Sequence, residues 1–272
     1  MRFVWPGSGG RVLIVLKYGG NAMTAGVMAG PDPLLDDLAE RLRCGDRLVL
    51  AHGGGPQIDA ALRGRPERRV GGLRVTDAGT LAVVEQVLCG SVNKRLVRAL
   101  LRRGVAAVGL SGQDGPVVLG RRLPPRDGVD LGFVGEVERV DPRALVALLD
   151  AGFTPIVAPL ALDAESGEAL NVNADTTAGA LAGALRADAY VIVTNVERVR
   201  RDVTDPASGI AELTAAAARA ALADGTFDGG MRPKMESALD ALSRGAKTAV
   251  IAGSGPHAIA RALAGAGTTI RP

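Results

Sequence analysis

Two lysines stand out among the residues able to do chemistry. Lys17 heads the run Lys17-Tyr18-Gly19-Gly20-Asn21, and Lys234 closes Gly229-Gly230-Met231-Arg232-Pro233-Lys234. Glycine beside a lysine lets backbone N–H groups approach anionic oxygens while the ammonium adds a point charge, a combination suited to phosphate. His52-Gly53-Gly54-Gly55-Pro56-Gln57 repeats the theme. Three successive glycines each cost roughly 0.5–1 kcal/mol of backbone entropy, more than a plain turn requires. Arg74, in Gly72-Leu73-Arg74-Val75-Thr76-Asp77, offers a planar fork for a carboxylate. Asn171-Val172-Asn173-Ala174-Asp175 supplies two neutral amides and an acid able to orient cations. Each also has a bland reading: the Lys17 run as an ordinary turn, Arg74 as a solvated loop residue, Asp175 as a servant of its own helix terminus. The cation count favours chemistry. Of 32 Lys and Arg residues only Lys17, Lys94, Lys234 and Lys247 are lysine, yet both glycine-flanked positions use it. A compact ammonium suits a phosphoryl group in transfer between crowded partners.

These residues must be positioned by strands and helices. Short β-branched and aliphatic runs alternate with amphipathic stretches, the mark of βαβ units around a mostly parallel sheet. Strands are expected at 12–16, 47–51, 105–110, 154–158, 190–194, 247–252 and 268–271. Asp32 and Pro33 open a first helix carrying Leu34, Leu35, Leu38 and Leu42. The spacing predicts one long helix over 76–103, with others over 57–62, 141–152, 175–185, 214–222, 231–244 and 256–263. Residues 116–140 read as a β-hairpin excursion forming a lid or flap, and 163–167 as a second hairpin turn. The chain divides into a tail, 1–10, and two lobes, 11–172 and 173–272, on one continuous sheet. The seam falls near 170–188, where strand carboxyl ends meet.

Several classes drop out on composition. The 272 residues are 47% hydrophobic, 22% charged and 3% aromatic, so disorder is excluded and the core rests on aliphatics. No charge-free stretch reaches the ~18 residues of a membrane span. A net charge of +3, with scattered arginines and few rings for base stacking, points to an ordinary surface rather than nucleic-acid binding. No export signal is visible, and Cys44 and Cys89 read as two buried thiols in a reducing cytoplasm. With His52 and His257 they form no metal-spacing motif, so no protein-built metal cage is expected. No glycine precedes a lysine, and Ile58 stands where G-x-G-x-x-G would need glycine, which excludes the P-loop and disfavours the dinucleotide fingerprint. His52, at a strand end, reads as packed and backbone-bonded rather than as a general base.

Six blocks together, at 17–23, 52–57, 74–76, 109–115, 171–175 and 229–234, resemble the amino acid kinase family, and within it the kinases of N-acetyl-L-glutamate. The resemblance runs in order from about residue 12 to 271. It implies a three-layer αβα sandwich with a central, mostly parallel sheet of about eight strands. The amino lobe would hold the acyl amino acid and mediate dimerisation, and the carboxyl lobe would hold ATP. Phosphoryl transfer to the side-chain carboxylate would give an acyl phosphate in arginine biosynthesis. Lys17 and Lys234 would flank the transferring group, with Asp175 holding both. Gly54 and Gly55 would bind substrate through N–H groups, Arg74 would clamp the α-carboxylate, and Asn171 would bond the acetylamino end. Gly19, Gly20, Asn195, Val199, Gly230 and Met231 would border the nucleotide, with Mg²⁺ held mainly by phosphates and water. Three departures are visible. Residues 195–199 read Asn-Val-Glu-Arg-Val where the family often has Asp-Val-x-Gly-Val, and Arg232 replaces an aliphatic residue. The stretch 89–97 resembles relatives acting on aminoadipate or glutamate attached to a carrier protein, which remains an alternative, as does a non-catalytic sensor of amino acid or nucleotide. Arginine-inhibited relatives carry a long amino-terminal helix; with only about ten Gly/Pro-broken residues before the first strand, a cytoplasmic homodimer insensitive to arginine is expected.

Overall fold

The computed structural model describes residues 11–20, 23 and 31–272. The tail 1–10, on which the expectation of arginine insensitivity rests, and Asn21 lie outside the described residues. In chain order the elements begin with β1 (Leu13–Tyr18), α1 (Pro33–Arg43), β2 (Arg47–His52), α2 (Gly55–Ala61), β3 (Arg69–Val70) and β4 (Leu73–Arg74). There follow α3 (Ala78–Glu85), a π-helical turn Gln86–Val92, α4 (Asn93–Leu101), β5 (Ala107–Ser111), β6 (Val118–Arg122), β7 (Val134–Val140) and α5 (Arg143–Asp150). Next come β8 (Thr154–Ala158), β9 (Leu160–Asp163), β10 (Ala169–Val172), α6 (Ala174–Ala184), β11 (Ala189–Thr194) and β12 (Glu212–Thr214). The chain ends with α7 (Ala215–Ala223), α8 (Arg232–Ser243), β13 (Ala249–Gly253), α9 (Ala258–Leu263) and β14 (Thr268–Arg271).

Eight strands form one sheet in the order β12-β14-β13-β11-β1-β2-β8-β5. All neighbours pair in parallel except β13 with β14. Alternation along each strand builds two cores. Val15, Val49 and Ile192 face α5, α6 and α8, whereas Ile14, Leu16, Leu48 and Val191 face α1, α4 and α9. This is a three-layer αβα sandwich, and a sheet buried on both faces explains its near-continuous aliphatic strands. The boundary expected between 172 and 173 falls between β10 and α6, while the sheet runs through both halves. No helix among the described residues is long and apolar enough to cross a membrane.

Local chemistry explains the starts of helices. Asp32 accepts hydrogen bonds from Leu34 N and Leu35 N at 3.1 Å, ahead of Pro33 in the first turn of α1. The other oxygen of Asp32 takes the Tyr18 hydroxyl at 2.6 Å and ties β1 to that helix.

Several expectations need correction. The long helix expected over 76–103 is interrupted by the π turn, whose wider winding resets the phase of the faces: Leu88 lies against Gly54, and Asn93 reaches His52. The hairpin excursion exists as β6 and β7, but it is no free flap. Parallel pairing of β6 with β9 and of β7 with β10 closes a small four-stranded barrel. Those pairings join segments remote in sequence, which periodicity does not register. The three-residue β12 was too short to show alternation. Cys44 is exposed, because it sits at the end of α1, whereas Cys89 is half-buried against the cluster of Ile58, Leu81 and Leu88.

Candidate active site

The carboxyl ends of the central strands stand level. Lys17 is aligned with Ala51 and Ile192, and Tyr18 with His52 and Val193. From β1 the chain moves outward to β2, and from β11 outward to β13 on the other side, so a crevice opens where the two directions diverge. A cleft of about 760 Å³ occupies it. Lys17, Asp175 and Lys234 lie along its wall, Gly54, Gly55, Arg74 and Asn171 line the side toward the amino half, and Gly19, Gly20, Asn195, Val199, Gly230 and Met231 line the remainder. The three catalytic candidates and the ten candidate binding residues read from the sequence therefore line one cavity.

At its centre sits a three-residue ion cluster. Lys17 Nζ lies 2.9 Å from Asp175 Oδ1, and Lys234 Nζ lies 3.6 Å from Asp175 Oδ2. Lys17 is only 5% exposed, and burial pulls its ammonium below the usual lysine range; Lys234 pushes the same way and Asp175 opposes both. One carboxylate between two ammonium groups leaves a positive balance for an incoming anion. Asp175 is free for this task because Asn173 caps α6, accepting from Asp175 N at 2.7 Å and Thr176 N at 3.2 Å. The Asp175 carbonyl in turn receives the buried Tyr190 hydroxyl at 3.1 Å.

The two glycine runs interlock. A Cβ on Gly20 would come within 3.1 Å of Gly54 N, Gly55 N and Pro56 Cδ, and one on Gly54 within 2.5 Å of Leu88 Cδ2. Only glycine permits that approach. The N-termini of α2, α6 and α8 open onto the cleft, so the positive ends of their dipoles favour negative charge there.

Toward the amino half, Thr76 orders two polar side chains. Its hydroxyl donates to Arg74 O at 2.8 Å and so must accept from Asn171 Nδ2 at 3.1 Å. That fixes the amide, leaving Asn171 Oδ1 to accept an N–H from a ligand. Arg74 is held by Asp59 and by Glu67, the latter at 2.7 Å. His52 is fully buried and neutral. Its Nδ1 donates to Gly53 O at 2.9 Å and its Nε2 accepts from Asn93 at 3.2 Å, while burial lowers its pKa to about 4. It supports the glycine run and does not reach the cleft as a base. Thr76, Asp59, Glu67 and the capping role of Asn173 were missed from sequence. Only the cap had a signal, an Asn ahead of a helical stretch. Among the described residues the one His/carboxylate group with ligand atoms within 4.8 Å of one another is Asp37, Glu40 and His257, and none of them lines the cleft.

The sequence profile of the Amino acid kinase family matches residues 12–253. The chain belongs to the amino acid kinase family. Among relatives of this amino acid kinase, the acetylglutamate kinase of Gluconobacter oxydans (strain 621H) is 44% identical over 276 residues, covering 95% of this chain and 90% of that protein. The chloroplastic acetylglutamate kinase of Arabidopsis thaliana is 42% identical, covering 94% and 74% respectively. In three dimensions it is similar to the N-acetylglutamate synthase of Neisseria gonorrhoeae solved with coenzyme A and N-acetyl-glutamate, at TM-score 0.80 and 28% identity. That match covers 96% of this amino acid kinase and 59% of the synthase chain.

Proposed function

We propose that this amino acid kinase transfers the γ-phosphoryl group of ATP to the side-chain carboxylate of N-acetyl-L-glutamate, giving the acyl phosphate of arginine biosynthesis. The observation that carries the reading is the pair of ammonium groups, from β1 and α8, meeting on Asp175 between two glycine cradles. The acceptor carboxylate is already ionised at pH 7, so the reaction needs no general base. What it needs is alignment of two anions that repel, and offset of their charge in transfer. Lys17 and Lys234 supply that offset from opposite sides of Asp175. Gly54 and Gly55 present N–H groups to the acceptor, Arg74 clamps its α-carboxylate, and Asn171 Oδ1 receives the acetylamino N–H. Asn195, Val199, Gly230 and Met231 border the nucleotide, which makes the half after residue 172 the ATP lobe and the half before it the acyl amino acid lobe, with Gly19 and Gly20 reaching the nucleotide from the end of β1. Asp175 is engaged by the lysines, and no other carboxylate cluster faces the cleft among the described residues; this fits Mg²⁺ carried in by the phosphates and water, where it adds charge neutralisation. A cytoplasmic homodimer completes the proposal.

The test is direct. The protein is incubated with MgATP and N-acetyl-L-glutamate, acyl phosphate is trapped with hydroxylamine, and glutamate, aspartate and carrier-linked substrates are run in parallel. Hydroxamate from N-acetyl-L-glutamate is expected. Turnover confined to a carrier-linked substrate, or none at all, would overturn the reading. In the same assay Lys17→Arg and Lys234→Arg should each lose more than tenfold, at least about 1.4 kcal/mol of barrier, because a planar guanidinium cannot take the place of a compact ammonium.

A further inference from the structure

Arg74 does not stand alone at the cleft wall. It pairs across the β3–β4 ribbon with Arg69, and both arginines line the cleft. Behind them, off the cleft, lie Asp59 of α2 and Glu67 of the connection into β3. Each carboxylate offers a single oxygen to both guanidinium groups. Asp59 Oδ1 meets Arg74 Nη2 and lies 2.7 Å from Arg69 Nη2. Glu67 Oε1 lies 2.7 Å from Arg74 Nη1 and 2.7 Å from Arg69 Nε. The four side chains close a ring. Arg74 is the buried member, its side chain 6% exposed against 49% for Asp59. A guanidinium has five N–H donors, and the ring engages Arg74 through only two nitrogens, so donors remain for a carboxylate arriving from the cleft.

Asp59 matters for where it sits. It lies one helical turn, a rise of about 6 Å, along α2 from Gly55, the cradle glycine at the start of that helix. The cradle and the anchor of the arginine fork thus belong to one rigid helix. A ligand with a carboxylate at each end would be measured between them.

We infer that Asp59 and Glu67 are positioning residues for Arg74, and that Asp59, by tying the fork to α2, sets the acceptor chain length that the cleft takes. The inference rests on the kinase reading above and deepens it, naming what separates a five-carbon diacid from its four-carbon homologue. A fitted site discriminates one methylene by about 10–200-fold. Loosening the fork from α2 erodes that discrimination without touching the nucleotide side.

Calorimetric Kd values for N-acetyl-L-glutamate and N-acetyl-L-aspartate, taken with a non-hydrolysable MgATP analogue, test it alongside steady-state kinetics. Asp59→Asn should raise the KM for N-acetyl-L-glutamate at least tenfold, hold the KM for MgATP within twofold, and shrink the ratio of the two Kd values at least threefold. Glu67→Gln, which leaves the tie to α2 in place, should raise the acceptor KM while keeping that ratio. Asp59→Asn added to Arg74→Lys should cost little beyond Arg74→Lys alone, since both act through one contact. Equal weakening toward both acids, a parallel rise in the KM for MgATP, or unchanged values would overturn the inference. A wild type that binds both acids yet makes no acyl phosphate would remove the kinase reading while the Kd ratio still decides this one. A wild type that binds neither acid would overturn both.

Discussion

At the scale of single residues, the site is an exercise in which polar groups are left with capacity to spare. Asn173 takes the capping duty and frees Asp175 for two lysines, and Thr76 occupies one end of the Asn171 amide and frees the other. His52 is the opposite case, a group with both nitrogens engaged and water excluded. With its pKa near 4 in the folded chain and 6.5 when exposed, the unfolded chain binds more protons across that interval. Stability therefore falls as pH drops from 6.5 toward 4, by up to about 3 kcal/mol from this residue. Urea titrations across that range should show a shallower acid decline in His52→Gln than in the wild type. Identical slopes would remove His52 as the cause. The role of His52 was legible in sequence because a strand-end histidine before three glycines has little room to be anything but packed. The ring of Asp59, Glu67, Arg69 and Arg74 was not, because ion-pair partners follow no spacing rule.

At the scale of elements, the lysine cluster depends on how closely α6 and α8 approach. Gly179 lies on α6 one turn beyond Asp175, and Ser237 on α8 just beyond Lys234. A Cβ on Gly179 would stand 2.5 Å from Ser237 O, and one on Gly183 would stand 2.3 Å from Arg244 Cβ. The two glycines let the helices close until one carboxylate reaches both ammonium groups. Gly179→Ala must push α8 outward, an overpacking cost of about 1–3 kcal/mol. Thermal melting should record a lower Tm, and hydroxamate assays a kcat several-fold down as Lys234 leaves Asp175. A variant matching the wild type in both would show that the spacing is not what holds the cluster. The helices themselves were readable from spacing; their separation was not, since a glycine inside a helix looks the same whether it meets solvent or another backbone.

At the scale of the whole molecule, the proposed homodimer would use the open edge of the sheet in the amino half. β5 is its terminal strand in the amino half, only partly buried over Ala107–Leu110. Leu101 at the end of the adjacent α4 is 53% exposed, and Phe153 ahead of β8 is 40% exposed. An edge strand beside exposed apolar side chains invites pairing. Light scattering should give a mass of about 56 kDa, twice the 27.8 kDa chain; a mass of one chain would exclude the dimer. Sequence alone determined the alternation of strands and helices, the glycine runs and the identity of the cations, because hydrophobic period and residue chemistry are local properties. The tertiary structure decided which distant pieces share a wall. It closed the barrel from two hairpins, set Lys17 and Lys234 on one acid across 217 positions of chain, and placed two carboxylates behind Arg74. The barrel and the lysine cluster are long-range pairings, fixed by how the layers pack, and even the nearby carboxylates of Arg74 follow no periodic pattern within a single segment.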